Sequence, residues 1–283
     1  MFASIIKPNA STQVITTIGK NPAVGYPITY TSGSSGWLAN KPAAYTLYSE
    51  INFTQLVPSG SPTERDITSG DGWRLIYDDL GYPSGGYGVS HAPTSNFAPV
   101  IDSTEPASPS TAWRLTMRSG TYTDGHGHGN ILRPISGNPT KLYCCYSIKY
   151  DSDFIWHDIS NKHLNLEVTS GQWLVQAYES TAPGMWWRVH DYVTDTAYTP
   201  SINTAISLGD WHIIEMQLEL SSPGTIKLWI DGVLRTNTTN SNLGNSFTTF
   251  GLYGHRGGGG ENVSTFSHDI GYAVGHIYLA TSS

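Results

Sequence analysis

Hydrophobic and polar residues alternate with a period of two along most of the chain after residue 111. This alternation predicts β-strands with one buried face, because successive side chains of a strand point to opposite sides. Turn signals rich in Gly, Pro, Ser and Asn separate the alternating segments, and no helical periodicity of convincing length appears. The predicted strands are AWRLTMRS, KLYCCYSIKYD, KHLNLEV, QWLVQAYES, MWWRVHDYV, WHIIEMQLEL, TIKLWIDG, FTTFGLYG and GHIYLAT. Many short strands at this spacing predict an all-β antiparallel sandwich or barrel.

The N-terminal part of the chain has a different pattern. Residues 1–65 are interrupted by runs rich in Pro, Gly and Ser, namely KPNAST, KNPAVGYP, TSGSSG and VPSGSP. Short strand-like segments such as QVITTI and AYTLYSEINFTQLV lie between these runs. We predict an extended arm or attachment segment over residues 1–65, with or without strands that join the main sheets, and one domain over residues 66–283.

Composition and charge narrow the function classes. The net charge is −7, Lys and Arg total only 15, and no basic run occurs, so nucleic-acid binding is not predicted. No stretch of 18 apolar residues is present, so no membrane span is predicted, and no signal peptide is visible at the N-terminus. Aromatic residues are 12% of the chain, a profile frequent in proteins that face the outside or handle sugars. We therefore expect a virion or extracellular location.

The two cysteines, Cys144 and Cys145, are neighbours within a predicted strand. Adjacent strand residues point to opposite faces, so a disulfide between them is not expected. We therefore favour the interpretation that both cysteines are small buried residues.

Several predicted strands combine an apolar face with a face of mixed Trp, Arg, His, Asn and Glu. Sugar grooves use such faces, because aromatic rings cover the apolar C–H faces of a sugar and planar polar groups bind its hydroxyls. Trp and Arg also pack at ordinary sheet edges, so both interpretations stay open. The candidate carbohydrate-binding residues are His163, Asn165, Glu167, Trp186, Arg188 and His190.

The segment GDWHIIEMQLEL places Glu215, Gln217 and Glu219 on one face of a strand. Alternate carboxylates on a strand could reach the separation of about 5–9 Å that glycosidases use. The longer run LGDWHIIEMQLELSSPGTIKLWIDGVL resembles the Trp-His and Trp-x-Asp-Gly hairpin of the concanavalin A-like lectin/glucanase superfamily, and KLYCCYSIKYDSDF and GHIYLAT resemble other strands of it. The resemblance covers roughly residues 66–283 and implies a two-sheet antiparallel jelly roll with a concave ligand groove. It also implies that Glu215 and Glu219 are not a catalytic pair, because this hairpin lies downstream of the catalytic strand in the glucanases.

A resemblance to jelly-roll polysaccharide lyases implies a second set of residues. Such lyases commonly use Gln or Asn, His, Arg and Tyr to neutralise a uronate carboxylate and to transfer protons. The residues of these types are His163, Asn165, Arg188, His190 and Tyr178. The Tyr-x-Lys-x-Gly-x-Tyr signature of alginate lyases is absent, so a lyase is the alternative and not the favoured interpretation.

Metal binding has a calcium candidate in the acidic loop with Asp151, Asp153 and Asp158. Oxygen-rich loops that hold a structural Ca²⁺ are common in the fold that the resemblance implies, although the spacing is not that of an EF-hand. No catalytic metal or other cofactor is predicted.

The sequence favours a non-catalytic structural or surface module, virion-associated as a phage decoration or tail-associated protein, with glycan binding left open. The expected partners are a glycan or cell-surface polysaccharide, other virion proteins and further copies of the chain in a homo-oligomer. The alternatives are a polysaccharide-degrading enzyme, a lyase before a glycoside hydrolase, and a secreted lectin.

Overall fold

The computed structural model describes eighteen strands and the turns next to them. The described residues are 37–51, 66–68, 72–76, 97–100, 104–105, 112–117, 120–123, 126–154, 161–169, 171–179, 185–191, 196–198, 206–221, 223–240, 245–256, 263–268 and 270–282. The strands of the first half are β1 Thr46–Ile51, β2 Asp66–Thr68, β3 Arg74–Ile76, β4 Phe97–Val100, β5 Ala112–Met117, β6 Gly120–Thr123, β7 His126–Pro134 and β8 Lys141–Tyr150. Those of the second half are β9 Asn161–Val168, β10 Gly171–Glu179, β11 Met185–Asp191, β12 Thr196–Tyr198, β13 Trp211–Glu219, β14 Gly224–Ile230, β15 Val233–Asn240, β16 Phe247–Arg256, β17 Val263–Phe266 and β18 Ile270–Ser282.

Two large antiparallel sheets contain nearly all of these strands. The first sheet has the order β15-β14-β13-β8-β18-β5-β4, and β1 also pairs with β18. The second sheet has the order β12-β11-β10-β9-β16-β7-β3-β2, and β17 and β6 form a separate pair. Neighbours in each sheet are often distant in sequence, as β8 and β18 are, because the chain of a jelly roll passes repeatedly from one sheet to the other. The predicted all-β, two-sheet antiparallel sandwich is confirmed.

The main hydrophobic core lies between the two sheets. Leu142, Cys144 and Tyr146 of β8 pack in the same buried cluster as Leu164 and Leu166 of β9. Each of these side chains is at most 1% exposed. In β9, the period-two alternation of the sequence therefore marks the side that faces the opposite sheet.

The β14–β15 hairpin shows how a local sequence signal specifies a turn. Asp231 and Gly232 both have positive φ, 52° and 74°, between the paired residues Ile230 and Val233. This is the backbone of a two-residue hairpin turn whose twist matches the flanking strands, and Asp-Gly is a preferred pair for it. The sequence IDGV therefore encodes this tight turn.

A second buried cluster lies on the outer face of the first sheet. Tyr143 and Cys145 of β8 and Tyr278 of β18 are its members, and Trp37 and Leu47 pack against it. The segment of residues 37–51, here called the N-terminal segment, therefore covers this face. Its strand β1 joins the first sheet by pairing with β18. Strands that join the main sheet were one of the two forms expected of residues 1–65. The boundary at residue 65 stays a prediction.

Cys144 and Cys145 lie in these two different clusters, one on each face of β8. Both are free thiols and both are fully buried. Burial in apolar surroundings raises the pKa of each thiol well above its usual value. The expectation of two buried, unbonded cysteines is confirmed.

The described part of the chain contains no helix of the length and apolarity that a membrane span requires.

Candidate functional site

The outer face of the second sheet brings together most of the predicted carbohydrate-binding residues. Leu164, Leu166 and Val168 of β9 face the core, so the residues between them face outward. Asn165 is only 4% exposed and lies opposite Gly251 of β16. The Nδ2 atom of Asn165 donates a hydrogen bond to Oε1 of Glu167 at 3.4 Å, which ties two of the predicted residues together.

The strand register aligns β9 with β10 and β11 across this face. Residues directly opposite each other on paired strands lie on the same face of a sheet. The aligned sets are Asn165 with Leu174 and His190, Gln176 with Arg188, and Tyr178 with Trp186. Glu167 is aligned with Gln172 of β10 and Thr249 of β16. The predicted residues of β9 and β11 are therefore on one face, with β10 between them.

A β-bulge changes the position of His163. The alternation of KHLNLEV places His163 on the same face as Asn165, but both ladders of β9 shift register between Leu164 and Lys162. Leu164 pairs with Val175, and Lys162 pairs with Gln176, so His163 is the extra residue of the bulge. Lys162 consequently takes the aligned position beside Gln176. A role of His163 in glycan binding stays a prediction.

Lys162 and Gln176 were not among the residues that sequence analysis selected. Gln176 was detectable, because it alternates with Leu174 and Tyr178 in QWLVQAYES. Lys162 was not detectable from the sequence, because a bulge adds one residue to a strand without altering the pattern of residue types around it.

Glu215 and Glu219 do not face a groove. Glu215 is fully buried beneath the N-terminal segment, and its carboxylate accepts hydrogen bonds from Asn40 N at 2.9 Å, from Asn40 Nδ2 at 2.7 Å and from the Tyr143 hydroxyl. Glu219 accepts hydrogen bonds from the Tyr45 hydroxyl at 3.0 Å and from Gln217 Nε2 at 2.8 Å. Both carboxylates thus attach the N-terminal segment to the first sheet. The implication that they are not a catalytic pair stays a prediction.

A Ser–His–Asp arrangement occurs at the start of β13. His212 Nδ1 is 2.7 Å from Asp231 Oδ2, and His212 Nε2 is 3.2 Å from Ser207 Oγ. In a catalytic triad the imidazole accepts the serine proton at Nε2. Here Nε2 is also 3.0 Å from the Ser207 carbonyl oxygen, to which it can only donate, and the Ser207 hydroxyl donates to Asp210 Oδ2 at 2.9 Å. The arrangement is therefore a structural clamp and not a nucleophile with its base.

The clamp favours the charged form of both of its ionisable partners. Burial acts to lower the pKa of His212, but the hydrogen bonds to Asp231 and to the Ser207 carbonyl outweigh it and raise the pKa above 6.5. Burial acts to raise the pKa of Asp231, but the hydrogen bonds from His212 and from the Ile213 amide outweigh it and lower the pKa. The Asp231 carboxylate also accepts the Ile213 amide at 2.8 Å, so it ties the β14–β15 turn to the start of β13.

The acidic loop predicted as a calcium candidate has other partners. Asp151 forms a bidentate ion pair with Arg114, and Asp153 lies 2.9 Å from His268 Nε2. Asp158 is outside the described residues. Within the described ranges, no group of three or more His, Cys, Asp or Glu residues is placed to hold a metal ion.

Similarity to known proteins is found only at the level of structure. No family model and no curated protein matches the chain. The cellulose-induced protein Cip1 is 11% identical over 83% of this chain and 98% of its own, with a TM-score of 0.51. Domain 4 of AbnA, a GH43 extracellular arabinanase from Geobacillus stearothermophilus solved with arabinotriose, is 11% identical over 84% of this chain and 94% of its own, with a TM-score of 0.48. A mutant of the alginate lyase Aly36B, solved with an alginate trisaccharide, is 12% identical over 66% of this chain and 88% of its own, with a TM-score of 0.49.

Of these three structures, Cip1 has the TM-score above 0.5, and it supports the fold. The chain has the concanavalin A-like jelly-roll fold, as the resemblance of its hairpin implied. The similar structures include alginate lyases and a domain of a GH43 arabinanase.

Proposed function

We propose that the outer face of the second sheet binds an extended glycan, and that the protein is a structural surface module, virion-associated, and not an enzyme. One observation carries the glycan-binding part. The register of three adjacent strands places Asn165, His190, Arg188 and Trp186 on one face, together with the amide and phenol residues of β10. These are the residue types that contact sugar hydroxyls and sugar C–H faces.

The opposite side of the molecule supports the choice of this face. The outer face of the first sheet is occupied by the N-terminal segment, with Glu215 and Cys145 fully buried beneath it. An extended ligand would have to displace that segment to reach the first sheet. We therefore assign glycan binding to the second sheet.

The experiment is a binding titration of the full chain against a set of soluble polysaccharides. Trp186→Ala should lower the affinity at least roughly 10-fold, because aromatic anchors commonly dominate binding energy. Trp211→Ala is the matched control, since it removes a partly exposed tryptophan from the first sheet. Equal loss in both variants, or no loss in either, would contradict the assigned face.

A polysaccharide lyase is the second candidate function. The observation that favours it is that Asn165, Arg188, His190 and Tyr178 come together on the same face, and a lyase needs groups of these types for carboxylate neutralisation and proton transfer. A lyase reaction leaves an unsaturated sugar that absorbs in the ultraviolet. Turnover of a uronate polymer that disappears in Arg188→Ala and His190→Ala would establish the enzyme and overturn the structural module.

The virion-associated role has its own test. We expect the protein to be present in purified particles at a fixed ratio to the major structural proteins, measured by quantitative mass spectrometry. We also propose a homo-oligomer, which light scattering of the purified chain would detect. Absence from particles would contradict the virion association and leave the secreted lectin.

A further inference from the structure

We infer that the glycan is acidic, and that Lys162 and Arg188 recognise its carboxylate or sulfate groups. This inference rests on the proposed function. The bulge at His163 puts Lys162 in register with Gln176, and Gln176 is in register with Arg188. Two basic residues of β9 and β11 therefore lie on the same face with one amide residue between them.

The basic positions continue into the next strand. Lys162 pairs with His255 of β16 on the side away from β10, and His255 in turn pairs with Gly127 of β7. Four strands thus carry, in one row, Arg188, Gln176, Lys162 and His255, here called the basic row. The row covers three strand spacings, about 14 Å. The row runs across the strands. Its length suits contact with an extended glycan chain better than contact with a ligand that has a single charged group.

A second arginine lies on the same face of the second sheet. Arg74 of β3 pairs with Leu132, which pairs with Gly251, which pairs with Asn165. Arg74 therefore shares the row of Asn165 and His190, next to the basic row. This concentration of cationic residues occurs in a chain that has only 15 Lys and Arg and a net charge of −7.

The acidic residues of the same strands lie elsewhere. Glu167 is on the same face but five residues from Lys162 along β9, about 15 Å away. Glu179 and Asp191 pair with Met185 and Trp173, so they alternate to the other face from Arg188. Within these four strands, the basic row is thus separated from the carboxylates, and the field of the row favours an anionic ligand.

The test compares dextran, dextran sulfate and polygalacturonate as ligands of the full chain. We expect binding to at least one of the two acidic polymers to exceed binding to dextran, and to weaken as salt screens the charges. Which acidic polymer binds more tightly distinguishes sulfate from carboxylate as the recognised group.

The variants isolate Lys162. Lys162→Gln should lower the affinity for the preferred acidic polymer roughly 10-fold, as expected for one charge-assisted hydrogen bond. Lys162→Arg should retain most of the affinity. Lys227→Gln is the matched control, because it makes the same change of charge on β14 of the first sheet. Circular dichroism of each variant checks that the fold is kept.

The outcomes separate this inference from the proposed function. Equal binding of neutral and acidic polymers, or equal effects of Lys162→Gln and Lys227→Gln, would overturn the acidic ligand while Trp186-dependent binding still supported a glycan site. A chain that binds none of the three polymers and no other polysaccharide would overturn both.

Discussion

Replacing Asn40 tests how the N-terminal segment is held on the first sheet. Its backbone amide and its side-chain amide both donate to the carboxylate of Glu215, at 2.9 and 2.7 Å. The two residues are 175 positions apart in sequence, and Glu215 is fully buried. The contact therefore joins the N-terminal segment to the middle of a central strand.

The structure sets the size of the effect. Asn40→Ala removes the donor to Oε2 of Glu215, and a hydrogen bond to a buried charged group contributes about 1.5–3 kcal/mol. With about 2 °C of Tm per kcal/mol for a chain of this length, the Tm should fall by about 3–6 °C. Asn40→Asp should destabilise more, because two carboxylates would face each other where a donor and an acceptor now meet.

An exchange of the two groups separates this contact from general damage. The double variant Asn40→Asp with Glu215→Gln again places an amide donor opposite a carboxylate, with their positions reversed. We expect it to be more stable than Asn40→Asp alone by about 1.5 kcal/mol or more. Recovery of stability on adding a second substitution is not expected unless the two side chains interact.

The assay is thermal unfolding followed by circular dichroism, together with limited proteolysis of the N-terminal segment. Asn237→Ala on the exposed side of β15 is the matched control. A Tm for Asn40→Ala within about 1 °C of that control, which is less than about 1 kcal/mol, would refute the role assigned to this contact.

Two further predictions concern the clamp and a β-bulge in β18, where the register with β8 shifts between Val274 and Ile277. Because the pKa of His212 is raised above 6.5 in the folded protein, its contribution to stability is complete below pH 6.5 and is lost as the pH rises through the folded pKa. The fall in Tm over that range should be smaller in His212→Gln, and parallel pH profiles would contradict the charged clamp. Gly275→Ala should destabilise by about 1–3 kcal/mol, because a Cβ there would overlap Ser147 Oγ and the Glu105 carboxylate, and urea unfolding measures it. An unchanged unfolding midpoint would show that Glu105 does not approach Gly275 this closely.

Much of the fold followed from local patterns in the sequence. Period-two alternation identified the core side of β9 and β13, because a residue's side of a strand depends only on its position along that strand. The same rule placed Cys144 and Cys145 on opposite faces. Asp231 and Gly232 specified their turn because both readily adopt positive φ.

The sheet partners and the face that is covered were decided by the tertiary structure. Glu215, Gln217 and Glu219 read as an outward polar face, and they do lie on the outer side of the first sheet. No local pattern shows that Asn40 and Tyr45, more than 170 residues earlier, cover that side and make Glu215 and Glu219 hydrogen-bond acceptors for the N-terminal segment. Pairing between distant segments depends on the whole chain, so it is not encoded in any single stretch.

The candidate site depends on both levels. The sequence by itself determined the residue types and, for β9 and β11, which of them alternate together. The tertiary structure decided that β10 lies between these strands and that a bulge at His163 brings Lys162 into line with Gln176 and Arg188. The physical reason is that one extra residue in a strand reverses the side on which every following residue lies. The position of the extra residue is determined by the hydrogen-bonded ladders to the neighbouring strands, which no local sequence pattern shows.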